Sequence, residues 1–465
     1  MGSEDFVSCA GPRKAWWLVP LLCGVMVLLM LQVSSSSLQS APKFVGSDAS
    51  GFAHQGQATA VSGDGRTACI GGTGDNSGIG AVWMWTLVNP LDYSSWAQQG
   101  SKIVAKDKTG QALFGCSCSL NFNGSIAVIG GYYDNAGVGA AWVFTRNARG
   151  WYQQGSKYVG VLYTGRYVYQ GFSTSIASAA ANTFVTGGHY NSGGGAFWIF
   201  SKSGSGWAQN GGKMIGSGGS SDAHQGCGVS VSADATTVAV GGNKQTGGGA
   251  VWVFTRDATL QYQQQGSMFT ASPASSGFGT SVALSADGNA LAVGADNDSN
   301  SIGAMHAFTR TGGAWAQLGV KHVGSGKMVT EDDPFVYEGG SISISANGNV
   351  IAVGGYGDNN FIGAVWVWTR NSTCPFFCQY GDKWVGSGYS GMDIHQGAVN
   401  SLSLSSDASM FLVGGYGDNS NTGAFWAFHP GEIPSITNLS VLLVMVVALP
   451  GITCAMRLVK ERGGK

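Results

Sequence analysis

The chain has 465 residues, enough for two or three domains, yet 11% are charged and 76 are glycine. A formal net charge of −1 with no basic stripe excludes nucleic acid as a partner, and glycine without a three-residue period excludes collagen. Aromatic residues at 11% argue against disorder, which leaves an all-β protein with many tight turns.

Residues 1–14 read as a short cytoplasmic N-terminus that ends in Arg13 and Lys14. Residues 15–33 are an apolar run near the ~20 residues a helix needs to cross a bilayer. The run reads as a signal anchor or a cleaved signal peptide, and either reading translocates the central region of the chain. Residues 34–42 are a linker, and 43–430 carry an internal repeat. A second linker, 431–438, leads to an apolar run at 439–456, read as a transmembrane helix. The basic cytoplasmic tail 457–465 holds Arg457, Lys460, Arg462 and Lys465. Positive charge beyond both runs puts the middle of the chain outside the cell or in a lumen, anchored to a plasma or internal membrane.

The repeat defines the fold. Phe278 to Ala295 alternates apolar and small polar residues and turns at Asp287-Gly288, which predicts a hairpin. Gly303 to Arg310 is a third strand, and Trp315-Ala316-Gln317 a fourth. The unit opens at Gln55-Gly56, Phe114-Gly115, Gln170-Gly171, Gln225-Gly226, Phe278-Gly279, Glu338-Gly339 and Gln396-Gly397. Its third strand opens at Gly80, Gly139, Gly195, Gly249, Gly303, Gly363 and Gly423. Seven four-stranded units predict an all-β, seven-bladed β-propeller. The seventh unit lacks a fourth strand, and Lys43-Phe44-Val45-Gly46 matches the end of one, so the N-terminal strand is expected to close the last blade. Trp83, Trp142, Trp198, Trp252, Trp366 and Trp426 occupy one position of the third strand, with His306 in the fifth unit, and are expected as wedges between blades.

The Phe278-Gly279 opening, the Ala292-Val293-Gly294-Ala295 end of the second strand and the Gly-Ala-Val third strand resemble the FG-GAP repeat, which builds the propeller head of integrin α chains. The resemblance spans 43–430. Segments such as Trp96-Ala97-Gln98-Gln99-Gly100 also resemble repeats of many microbial and protist surface proteins. The resemblance implies extracellular ligand binding, adhesion and calcium. The integrin-type calcium loop lies between the first two strands of a blade, where this chain has short turns such as Asn123-Gly124 and Asn347-Gly348. These cannot supply the 6–8 ligands of Ca²⁺. No cofactor is therefore expected. The remaining metal candidate is Asp296, Asp298 and Asn300, which has D-x-D-x-N spacing but lacks the Gly that would come next and the distal Glu.

The first strands are small and neutral, Glu338 is the one acid at an entrance, and no carboxylate pair stands out, so the chain is expected not to be an enzyme. Loops joining strands two and three share a face with those joining one blade to the next. The candidate ligand-binding residues of that face are His54, Asp75, Asn76, Asp134, Asn135, Tyr169, Asn191, His224, Tyr337, Asp358, Asn359, His395, Asp418 and Asn419. The bland reading is ordinary Asp-Asn turn chemistry. Cys374 and Cys378 can close a small disulfide loop in an oxidising compartment. Asn123, Asn297 and Asn371 begin glycosylation sequons. The expected function is a membrane-anchored surface propeller that binds an extracellular protein or glycan. The alternatives are a structural surface glycoprotein without a ligand and an extracellular hydrolase.

Overall fold

The computed structural model describes residues 41–330 and 334–430. The apolar runs at 15–33 and 439–456 lie outside the described residues. Among those described, no helix is long and apolar enough to cross a membrane.

The described residues form seven four-stranded antiparallel sheets; six have their strands in sequence order, and the seventh takes its outer strand from the start of the chain. Blade one runs Gln55–Val61, Thr67–Gly72, Ala81–Leu87 and Trp96–Gln98. Blades two to six span 117–153, 173–209, 228–264, 278–317 and 338–379. Blade seven has Leu402–Leu404, Phe411–Gly415 and Ala424–Phe428, and its outer strand is Lys43–Phe44. Lys43 pairs with Trp426 and Phe44 with Phe425, which closes the ring as expected.

Each blade joins the next through a parallel backbone bridge. It links the glycine that opens a third strand to the residue that opens the next blade's first strand: Gly80 to Phe114, Gly139 to Gln170, Gly195 to Gln225, Gly249 to Phe278, Gly303 to Glu338 and Gly363 to Gln396, with Gly423 to Gln55 completing the circle. A Cβ on Gly80 would stand 2.1 Å from the carbonyl oxygen of Phe114, and its φ is +83°, so glycine is required on both counts.

The third-strand tryptophans are fully buried, each contributing roughly 1.5–3 kcal/mol. Each packs on the end of the preceding blade's fourth strand. The indole of Trp252 donates to the carbonyl of Ser217 at 2.8 Å, and Trp83, Trp198, Trp366 and Trp426 make the same bond at 2.7–2.9 Å. The space exists because the facing residue is glycine. A Cβ on Gly216 would lie 2.0 Å from Trp252, and Gly46, Gly160, Gly324 and Gly386 face their tryptophans at 2.2–2.3 Å. The two exceptions obey the same steric logic. Ala271 replaces that glycine before blade five, where His306 replaces Trp and its Nε2 meets the hydroxyl of Ser275 at 2.9 Å. Ala105 precedes Trp142, whose indole turns to Asp107 instead.

The Trp-x-Gln segment of the fourth strand also ties blades together. The side-chain oxygens of Gln98, Gln153, Gln209, Gln264, Gln317 and Gln379 accept backbone N–H groups of Ser47, Lys106, Val161, Ser217, Ser272 and Ser325 at 2.6–2.9 Å.

Replacing Gly216 with Ala forces Trp252 from its seat. Overpacking of this kind costs about 1–3 kcal/mol. Denaturant unfolding of Gly216→Ala is expected to show a loss of that size, while Gly218→Ala, where a Cβ meets nothing within 4 Å, gives a smaller loss from its φ of +77° alone. Equal effects at the two sites would remove Trp252 from the role of wedge.

Candidate functional site

The central channel is lined by the first strands. One stretch of it has a volume of about 230 Å³ and is walled by hydroxyls, including Ser117, Ser173, Ser230, Ser281, Ser341 and Ser403. Asn400 of blade seven reaches the carbonyls of Cys116 and Phe172, on blades two and three, at 3.2 and 3.1 Å. Glu338 is fully buried and stands where four other blades have a glutamine. Its carboxylate accepts the N–H of Gly324 at 2.8 Å and pairs with Lys327 at 2.8 Å. Gln55, Gln170, Gln225 and Gln396 bind the matching glycines through both amide atoms, so Lys327 supplies the donor that glutamate lacks. Burial raises the Glu338 carboxyl, opposed by the Lys327 ammonium and the bond from Gly324.

The loops between strands two and three carry, in blades one, two, five, six and seven, an aspartate succeeded by three residues at positive φ. In blade one these are Asn76 (φ 49°, ψ 52°), Ser77 (φ 58°, ψ 42°) and Gly78 (φ 88°). Such residues cost roughly 1–2 kcal/mol each unless asparagine or glycine occupies them. The aspartate offsets this. Asp75 accepts the N–H of Ser50, from the loop entering the blade, at 2.7 Å, and pairs with Lys102 at 2.8 Å. Asp134 holds Thr109 and Lys157, Asp358 holds Met328 and Lys383, and Asp418 holds Ser390 and Lys43. Asp298 pairs with Lys321 at 2.5 Å. Asn191 and Gln245 make the backbone bond in blades three and four. Blade four, which has Gln245 for the acid, has Met268 for the lysine.

The predicted ligand-binding residues therefore divide into two sets. Asp75, Asp134, Asn191, Asp358 and Asp418 are buried within the scaffold, bonded to neighbouring loops. Asn76, Asn135 and Asn419 are exposed and Asn359 half-buried on the loop tips. His54, Tyr169, His224, Tyr337 and His395 stand half-buried just before the first strands, each at positive φ between 56° and 61°. The metal candidates do not converge. Asp296 accepts hydrogen bonds from Thr280 and Asn297, Asp298 faces Lys321, and no group of three His, Cys, Asp or Glu among the described residues is placed to hold a metal. Cys374 and Cys378 are joined in a disulfide. Asn123 and Asn297 are exposed, and Asn371 is half-buried, with its side-chain oxygen accepting the N–H of Thr373.

The left-handed residues meet a second set whose role the sequence did not reveal. Directly after the Gly-Gly of strand two come Tyr132, His189, Tyr356 and Tyr416. One arc crosses blades six, seven and one. Tyr337 stacks on Tyr356 at 4.7 Å, Tyr356 neighbours His395 at 6.1 Å, His395 stacks on Tyr416 at 4.7 Å, and Tyr416 meets His54 at 5.9 Å. A second arc crosses blades two to four through Tyr132, Tyr169, His189 and His224, with Tyr132–Tyr169 at 5.4 Å and His189–His224 at 5.7 Å. Recurrence of a ring at one offset in four repeats is the signal that could have found them.

Burial, with a smaller contribution from His224, lowers His189 to about 3, and burial lowers His306 to about 4. An unfolded histidine titrates near 6.5, so below that pH the unfolded chain binds protons that the folded one refuses. Stability from this source is complete above pH ~6.5 and declines as the pH falls toward 4. Thermal melts are expected to show that decline, with a shallower slope in His306→Gln. An unchanged slope in the variant would assign the acid sensitivity elsewhere.

The lysine–aspartate pairs give a second test. Lys383→Met strands the buried Asp358 and is expected to cost about 3 kcal/mol. Adding Asp358→Gln recreates the pairing of blade four and should recover most of it, as read by chemical denaturation. Failure of the double variant to recover would show that the two sites do not act as a unit.

No family model matches the sequence, and no curated protein matches it either. Among solved structures the chain is similar to one named a "putative 6-phosphogluconolactonase" from Bacteroides uniformis, with 14% identity and a TM-score of 0.49, covering 71% of this chain and 85% of that one. That name corrects the expectation that this chain is not an enzyme: a chain of similar structure is named for catalysis, so the expectation is withdrawn. The likeness brings no activity to this protein, and the FG-GAP resemblance rests on the repeat motifs alone.

Proposed function

We propose that the face carrying the two aromatic arcs is the recognition surface of a cell-surface propeller that binds an extracellular macromolecule or glycan. The observation that carries this reading is the placement of bulky aromatic residues where the backbone penalises them. His54, Tyr169, His224, Tyr337 and His395 all occupy the left-handed region, while blade five meets the same geometry with Gly277. Residues held in a disfavoured conformation by the surrounding scaffold cluster at binding sites. Tyrosine and histidine present a rigid apolar body with a polar edge, suited to recognition at low entropic cost. In this reading the apolar runs at 15–33 and 439–456 anchor the propeller to the membrane, facing outward or into a lumen. Sugars on Asn123 and Asn371 would then decorate the turns on the opposite face.

The full chain, purified in detergent and immobilised, should bind saturably to members of a glycan and extracellular-matrix array. Tyr337→Ala and Tyr169→Ala should weaken that binding at least about tenfold, with Phe122→Ala on the opposite face leaving it intact. Absence of saturable binding, or an equal loss from Phe122→Ala, would remove the aromatic face from this role.

A further inference from the structure

The second arc does more than line the face. Between blades two and three, Tyr132, Tyr133, Tyr169, Phe172 and His189 surround an open pocket of about 510 Å³, walled on its other side by Gln111 and Leu113. That volume falls within the roughly 300–1,000 Å³ of small-molecule sites. The rings touch one another: Tyr132 to Tyr169 at 5.4 Å, Tyr132 to Phe172 at 5.7 Å and Phe172 to His189 at 4.2 Å. Tyr132 meets Tyr169 edge to face at 84° and Phe172 at 67°, so the rings wall the pocket at angles to one another. No charged side chain lines the pocket. A charged ligand would be desolvated there without a counter-charge, which is costly. The buried Nδ1 of His189 has no hydrogen-bond partner among the described residues. Each ring nitrogen donates or accepts according to tautomer, and with Nδ1 closed off from solvent a ligand hydroxyl must come to the other edge of the imidazole. Three tyrosines, Tyr132, Tyr133 and Tyr169, line the same pocket.

The ligand that fits is uncharged, with one flat C–H face and a hydroxylated edge. C–H groups of partial positive charge suit the negative face of an aromatic ring. Hydroxyls suit the phenols and the imidazole. We propose that this pocket binds one neutral pyranose unit of a glycan, stacked on the face of Tyr169 with a sugar hydroxyl bonded to the His189 imidazole. The proposal rests on the recognition role of this face and names its ligand class and its place.

Ligand-observed NMR on the full chain in detergent tests it, with the methyl glycosides of glucose, galactose and mannose as probes and tetramethylammonium and adenosine as competitors. At least one glycoside should saturate with a Kd on the order of 1 mM. Tyr169→Ala should weaken it about tenfold or more, and His189→Phe, which keeps the ring but removes the nitrogen, should weaken it about fivefold. Tyr169→Phe guards against misfolding and should retain most of the binding. Phe122→Ala, on the opposite face, should leave it unchanged. Failure of all three glycosides to bind, preference for tetramethylammonium or adenosine, or indifference to both Tyr169→Ala and His189→Phe would each overturn the pyranose assignment. If array binding still depended on the aromatic face, the recognition reading would survive that failure.

Discussion

One backbone contact governs this molecule: the parallel bridge between the glycine opening each third strand and the residue opening the next blade. It brings two main chains so close that neither a Cβ nor an ordinary φ is allowed at the glycine. Because the bridge is made of main-chain atoms, it repeats with phenylalanine, glutamine or glutamate as its partner. It also fixes the radial spacing at which a tryptophan can enter between neighbouring sheets. The indole, the glycine it lies on and the glutamine clamp of the fourth strand are then consequences of one distance.

The same contact dictates the chemistry of the loop face. A chain that must arrive at the bridge in register enters through a residue in the left-handed region, and the adjoining loop turns left-handed as well. The buried aspartates are how the loops stabilise that turn, with Asp75, Asp134, Asp358 and Asp418 each holding a backbone amide and a lysine at once. The aspartates of these turns are thereby consumed by the scaffold, while Asp222 and Asp393 stay exposed beside His224 and His395. The surface is thus rich in rings, and the turn acids that its sequence suggests are turned inward.

The blades were legible in the sequence because their marks are periodic. The Gln-Gly or Phe-Gly opening and the third-strand glycine recur in step, and Lys43-Phe44 stood out as a fourth strand without a unit. The role of Asp75 or Asp358 was not legible, since an aspartate in a turn reads the same whether it faces water or a lysine some 25 residues further along the chain. Tyr132, His189, Tyr356 and Tyr416 were masked by position, directly after a strand end where a ring looks like core. Glu338 looked like a lone acid at a channel entrance because Lys327, its partner, lies in a loop with no repeat signature.

The donated outer strand of blade seven has a mechanical consequence. Lys43 and Phe44 run antiparallel to Ala424–Phe428, so the chain enters and leaves the ring side by side on a single sheet. Tension applied through both flanks would load these two residue pairs one after the other, the zipper geometry in which bonds yield sequentially instead of together. The seam that makes the ring continuous is therefore also the place where pulling would first open it, ahead of any of the six blades whose strands are joined by turns.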